Sequence, residues 1–311
     1  MNNMIEIGII GMSPGNAHPY SWSSIINGAF DAGEINRIGY PAVANYLEAN
    51  KDTLGVPSAK VTCVWTQERK ISESIAMSSK IPQVVDSLED MIPLVDAILL
   101  SRDDPENHVT MAKPFLDAGL PIFIDKPLAV TKEDLQYFAD ENAKGKLIMS
   151  CSSMRYANEA RIVKQDIKSL GKLELATAIG KKDWIKYGVH IVEGLFSLLN
   201  DPIPATVRSI GKKDREIVHI EFENGFQATV HLFMDIVGTF QISLFGQQGW
   251  RLIDIKNSYS MFRDNIIEFI RSVKEGVSRL SFDKTQNIIR TVIAAIESSK
   301  EGGKVIDMST F

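Results

Sequence analysis

Ala97-Ile98-Leu99-Leu100-Ser101, a segment from Glu106 to Ala118 closed by Gly119, and Pro121-Ile122-Phe123-Ile124-Asp125-Lys126-Pro127 follow one another as strand, helix and strand. Both strands are apolar throughout instead of at alternate positions, the mark of strands buried on two faces in a parallel sheet. The second ends abruptly in acid, lysine and proline. Ligands of open parallel sheets sit at the carboxyl ends of strands, and Pro127 restricts the backbone around it, so Lys126 is placed to reach into that crevice. The plainer reading is a surface lysine before a helix-starting proline; the rest of the chain weighs between the two.

The same alternation extends outward on both sides. Upstream, Ile5 to Gly11 reads as strand, Tyr20 to Ala32 as helix, Val61 to Trp65 as strand, Glu68 to Ser79 as helix and Gln83 to Val85 as a short strand. Ser87 and Asp90 are spaced as a capping box opening a helix over Ser87 to Val95. Gly33 to Lys60 is long for a helix-to-strand connection and reads as an insertion with a short helix at Ala42 to Glu48. Downstream, the helix Lys132 to Ala143 and the strand Leu147 to Cys151 add one more unit. This rhythm predicts an α/β, Rossmann-like, doubly wound parallel sheet.

The second half differs. After a helix at Asn158 to Ser169 come strands at Glu174 to Gly180, Thr206 to Gly211, Glu216 to Phe222, Phe226 to Phe233, Phe240 to Phe245 and Trp250 to Ile255, with Asn224-Gly225 as a hairpin turn. Helices at Met261 to Lys274 and Thr285 to Lys300 follow, the second stopped by Gly302-Gly303. A block of strands flanked by helices predicts an α+β domain with an open, mainly antiparallel sheet. The expected division is a dinucleotide-binding domain over residues 1–128, with the insertion at 33–60, and a substrate-binding and oligomerisation domain over 129–311.

With 311 residues, 44% hydrophobic and 23% charged, the chain has the composition of a globular protein large enough for two cores. A net charge of -5 without a basic cluster leaves no electrostatic footprint for nucleic acid or an anionic membrane. A small-molecule partner is the expectation. The two cysteines, Cys63 and Cys151, lie in apolar runs and read as core residues. No segment is apolar for long enough to span a bilayer, the N-terminal run is too short for a signal peptide, and a cytoplasmic location is expected. No spacing resembles a metal site.

Gly8-Ile9-Ile10-Gly11-Met12-Ser13-Pro14-Gly15-Asn16 stands where a phosphate-binding turn belongs, directly after the first strand. Its second glycine position is Ser13 and Gly15 is out of register, a partial match to the dinucleotide fingerprint. Gly11, Ser13, Pro14, Gly15 and Asn16 are the candidate contacts to a dinucleotide there, joined by Ser101 and Arg102 at the end of a neighbouring strand. At the end of the second strand, where NAD enzymes carry an acid for the ribose, this chain has Thr66, with Arg69 nearby. That pair tilts the expectation toward NADP without separating it from NAD.

Lys186-Tyr187-Gly188-Val189-His190-Ile191-Val192-Glu193 is the second candidate for chemistry. With Asp183 as cap, Lys186 and His190 are i and i+4 and share a helix face. Glu193, at i+3 from His190, is placed to orient the imidazole, which exchanges protons near neutrality. His18 follows the glycine turn and His108 opens a helix, while His219 and His231 belong to the hairpin strands.

In these elements the chain resembles the Gfo/Idh/MocA oxidoreductases over nearly its whole length. The resemblance is carried by the glycine turn, the Ala97 to Ser101 strand with His108 after it, Asp125-Lys126-Pro127 in place of the family's Glu-Lys-Pro, and Gly188-x-His190. It implies a Rossmann domain joined to an open-faced domain with the active site between them, NAD or NADP as cofactor, and a sugar, cyclitol or sugar derivative as substrate. It further implies that Lys126 contacts the reacting oxygen and that His190 is the acid/base. Many members carry an aspartate where this chain has Lys186, and a second ammonium there either lowers neighbouring pKa values or holds an anionic substrate. A homodimer or homotetramer is expected through the sheet face. The alternatives are a non-catalytic dinucleotide or sugar sensor and an NAD-dependent glycosidase or lyase of the same fold.

Overall fold

The computed structural model describes residues 4–311 and divides into two compact units. The first comprises residues up to Leu128, Gln136–Ser150 and Phe262–Phe282. Its strands are β1 (Ile5–Ile10), β2 (Ala59–Trp65), β3 (Gln83–Val84), β4 (Ala97–Leu100), β5 (Ile122–Ile124) and β6 (Ile148–Met149). They form one parallel sheet in the order β3-β2-β1-β4-β5-β6. This is the doubly wound arrangement, with the order reversing between β1 and β4. Ile7, Ile9, Val61, Ile98, Leu100 and Ile124 are wholly buried, as expected of strands covered on both faces.

The helices are α1 (His18–Asn27), α2 (Ala32–Arg37), α3 (Pro41–Ala49), α4 (Arg69–Ser79), α5 (His108–Asp117) and α6 (Lys132–Ala143). The single helix expected over Tyr20 to Ala32 is in fact two. Gly28, at φ 69°, stops α1, and the Asp31 side chain accepts the Glu34 N–H at 2.9 Å to start α2. The long insertion is therefore largely helical, α2 and α3 lying together. Ser87 and Asp90 exchange the two hydrogen bonds of a capping box, at 3.0 and 3.2 Å, although the segment they open, Glu89–Leu94, is a 3-10 helix.

The second unit holds Ala129–Leu135, Cys151–Met261 and Asp283–Phe311. After α7 (Asn158–Asp166) come β7 (Leu173–Lys181), α8 (Trp184–Leu198), β8 (Pro204–Ser209), β9 (Arg215–Phe222), β10 (Gln227–Phe233), β11 (Phe240–Gly246) and β12 (Gly249–Asp254). The chain then forms α9 (Ser258–Glu275), most of which belongs to the first unit, α10 (Phe282–Lys300) and β13 (Ile306–Asp307). The seven strands run β12-β11-β7-β10-β9-β8-β13. The sheet is mainly antiparallel, as expected, with β7 and β10 at its centre paired in parallel. Gly225, at φ 79°, makes the β9–β10 hairpin turn. Ala176, Ala178, Ile242, Leu244, Val230 and Leu232 are buried on one face, packed with α8, while Leu175, Ile179, Phe245, Trp250 and Leu252 are exposed on the other.

Candidate functional site

In the first unit the chemistry gathers at the carboxyl ends of β1, β4 and β5. Asp125, one residue past β5, is fully buried and accepts three hydrogen bonds. Asn16 Nδ2 reaches Oδ2 at 3.0 Å, His18 Nδ1 lies 2.6 Å from the same oxygen, and the Lys126 N–H donates to Oδ1 at 2.8 Å. Burial alone would push this carboxyl up, but His18, Lys126 and the hydrogen bonds from His18 and Asn16 hold it well below the usual carboxylate range. Lys126 is itself buried, with Nζ 3.7 Å from Asp103 Oδ2. Asp103 in turn accepts the Ser13 hydroxyl at 2.5 Å. Lys126, Ser13, Asn16 and His18 are thus joined through two carboxylates, Asp103 and Asp125.

The other predicted residues of this unit have different partners. Ser101 is fully buried, its N–H and hydroxyl both donating to Ile10 O. The Arg102 guanidinium pairs with Asp104, at 2.9 Å from Nε, donates to Gln67 Oε1 at 2.8 Å and lies 3.4 Å from Met12 O. Gln67 holds the Met12 backbone from both sides, accepting its N–H at 3.1 Å and donating to its carbonyl at 2.6 Å. Arg102 and Gln67 therefore fasten the glycine turn. Thr66 is buried and its hydroxyl donates to Glu68 O. Arg69 is exposed and ion-paired to Glu73 and Asp86. His108, which opens α5 as expected, is fully buried with Nδ1 3.0 Å from Leu128 O and Nε2 2.9 Å from Arg102 O. It ties the loop after β4 to the loop that carries Lys126.

In the second unit Asp183 caps α8 as expected, accepting the Lys186 N–H at 3.0 Å. Lys186 and His190 lie on this helix at i and i+4. The expected pairing of His190 with Glu193 is not found. Glu193 is buried and bonds the Arg155 guanidinium, which also pairs with Asp201 at 2.7 Å. The imidazole meets Ser152, whose Oγ lies 2.6 Å from His190 Nδ1 and whose N–H reaches Glu193 Oε2 at 3.3 Å. Sequence reasoning missed Ser152 because it lies in another segment. Tyr187 and Phe240 flank the imidazole with ring centroids at 5.3 and 6.1 Å. Gly188 is required by packing, since a Cβ there would stand 2.8 Å from the Trp184 ring.

Residues 32–152 match the family model described as "Oxidoreductase family, NAD-binding Rossmann fold", that of Gfo/Idh/MocA. Over these residues the first unit is similar to the NAD-binding domain of that family. No curated protein matches the sequence. Among solved structures, a probable dehydrogenase from Thermotoga maritima superposes with a TM-score of 0.78 at 13% identity, covering 98% of this chain and 99% of its own. A scyllo-inositol dehydrogenase from Lactobacillus casei gives 0.79 at 12% identity, covering 99% of each chain. A myo-inositol dehydrogenase from the same organism, in complex with NAD(H) and myo-inositol, gives 0.77 at 15%, covering 98% and 97%. At these identities the likeness is one of fold, and both units share in it.

The Gfo/Idh/MocA match begins after β1, the glycine turn and α1, and that turn is where the chain departs from the usual fingerprint. A dinucleotide diphosphate is held by backbone amides at this place. Pro14 and Pro19 supply none, and the amides of Met12, Asn16 and His18 are bonded to Gln67, Ser13 O and Asn16 Oδ1. The backbone N–H groups of Ser13, Gly15 and Ala17 donate to no group among the described residues. Gly15 has φ 79° and nothing within 4 Å of where a Cβ would stand. The turn thus fits a diphosphate through these three amides ahead of α1, with Pro14 and Pro19 reducing the donor set.

Proposed function

We propose that this chain is an NAD(P)-dependent oxidoreductase that moves a hydride to or from the hydroxyl or keto carbon of a sugar, cyclitol or sugar derivative. The observation that carries this reading is Lys126, a buried lysine past the carboxyl end of β5 in a Gfo/Idh/MocA Rossmann sheet. The inositol dehydrogenases of the same fold support the substrate class.

A bound nicotinamide dinucleotide supplies hydride acceptance or donation. The N–H groups of Ser13, Gly15 and Ala17 would hold its diphosphate, and the carboxylates already on Arg69 favour NAD over NADP. The Lys126 ammonium draws electron density from the substrate oxygen. His190, anchored through Nδ1 by Ser152, exchanges the hydroxyl proton through Nε2. Lys186, on the same helix, adds positive charge for an anionic substrate.

Fluorescence titration with NADH and NADPH, followed by nicotinamide absorbance across a panel of sugars and cyclitols, tests the reading. Binding of NADH and net reduction of NAD with one polyol are expected, and Lys126→Ala should abolish turnover while leaving cofactor binding largely intact. Failure to bind either dinucleotide would sink it. A second reading, a sensor without hydride transfer, is favoured by the reduced donor set of the glycine turn. It predicts dinucleotide or sugar binding with no turnover.

We also propose a homo-oligomer assembled through the open sheet face, where Leu175, Phe245, Trp250 and Leu252 are exposed together. Light scattering should give at least twice the monomer mass, and Trp250→Asp should lower it.

A further inference from the structure

His18 is a histidine for which the roles above leave no use, yet its imidazole is fixed on three sides. Nδ1 lies 2.6 Å from Asp125 Oδ2. One ring face stacks on Trp22 at 4.5 Å with 13° between planes, and the edge of Phe262 meets the ring at 5.1 Å. The remaining nitrogen, Nε2, has no hydrogen-bond partner among the described residues, and the side chain keeps 17% of its surface exposed.

Asp125 decides the tautomer. Its other oxygen accepts the Lys126 N–H and it takes a second bond from Asn16, an arrangement of donors that suits an ionised carboxylate. An ionised acceptor beside Nδ1 places a hydrogen there, so that in the neutral imidazole the lone pair is at Nε2. The carboxylate–imidazole pair that orients a general base in hydrolases has the same logic. Here it lies at the carboxyl end of β5, and its carboxylate belongs to the residue directly before Lys126.

We infer that His18, positioned by Asp125, is a second proton acceptor at the strand ends of the first unit, taking the hydroxyl proton of an alcohol substrate in place of His190. This rests on the oxidoreductase reading. A hydroxyl set against Nε2 loses its proton to the lone pair. The O–H bond breaks, its electron pair stays on oxygen as an alkoxide facing the Lys126 ammonium, and the imidazolium formed is paired with Asp125. In the reverse direction the proton returns to oxygen. Asp125 is the positioning residue.

Long-range 15N–1H spectra of the apo protein labelled in histidine should show His18 as the Nδ1–H tautomer. Asp125→Asn should shift it toward Nε2–H, and the wild-type spectrum stands as evidence even if that variant does not fold. His18→Gln should lower turnover by about 10²- to 10⁴-fold with dinucleotide binding unchanged, and His18→Gly should be partly rescued by added imidazole. An Nε2–H tautomer in the wild type, or undiminished turnover in His18→Gln, overturns the inference alone. A wild type inactive on every alcohol tested overturns the oxidoreductase reading and this role with it, whatever the tautomer.

Discussion

Ser152 Oγ stands 2.6 Å from His190 Nδ1, and the backbone N–H of the same serine is held by Glu193, three residues beyond that histidine on the same helix. The acid at i+3 thus acts on the imidazole through an intermediary. Ser152→Ala should leave the fold intact but release the ring. We expect kcat to fall by about 10-fold with KM little changed, short of the roughly 10²-fold or more that loss of an acid–base group costs. Histidine NMR of the apo variant should show His190 with mixed tautomers; an unchanged spectrum would contradict the positioning role.

Arg155 lies between two carboxylates, Glu193 and Asp201, and all three side chains are at least nine-tenths buried. Arg155→Met leaves Glu193 buried without its counter-charge. A loss of about 3–5 kcal/mol in unfolding free energy is the expected outcome, read from urea denaturation. A loss below ~1 kcal/mol would mean that water reaches Glu193 in the variant.

Glu34 is held down to about 2 by hydrogen bonds from Arg37 and Ser74. Its folded pKa lies below the ordinary 4.5, so its stabilisation is complete above that value and is lost as pH falls toward 2. Glu34→Gln should therefore flatten the decline in denaturation midpoint between about pH 5 and about pH 2. Parallel curves for variant and wild type would show that other carboxylates carry the acid sensitivity.

Gly188→Ala sets a methyl group 2.8 Å from the Trp184 ring, which is buried and anchored by its Nε1 donating to Val292 O at 3.1 Å. Overpacking of this kind costs about 1–3 kcal/mol. A lowered melting temperature is expected, and Trp184→Phe in the same background should recover part of it. No recovery would place the strain elsewhere.

Much of the architecture was legible in local pattern. Ile98 to Leu100 and Ile122 to Ile124 are apolar on both faces, and they are central strands of the parallel sheet. Asp183 was readable as a cap because its partner is three residues away. The sequence predicts one helix over Tyr20 to Ala32 because that stretch contains no proline and Gly28 alone is a weak stop signal, yet α1 ends there.

What sequence alone determined is the class of fold and the identity of the local switches, since periodicity and capping act over a few residues of chain. The tertiary structure decided the partners. Glu193 had the spacing to bind His190, but the Arg155 guanidinium from another segment claims it, because a buried charge requires a counter-charge more than an imidazole requires an acid. Asp125 meets His18 across 107 residues, and Ser13 meets Asp103 across 90. Such pairs form because parallel strands bring their carboxyl ends together in space whatever their separation along the chain.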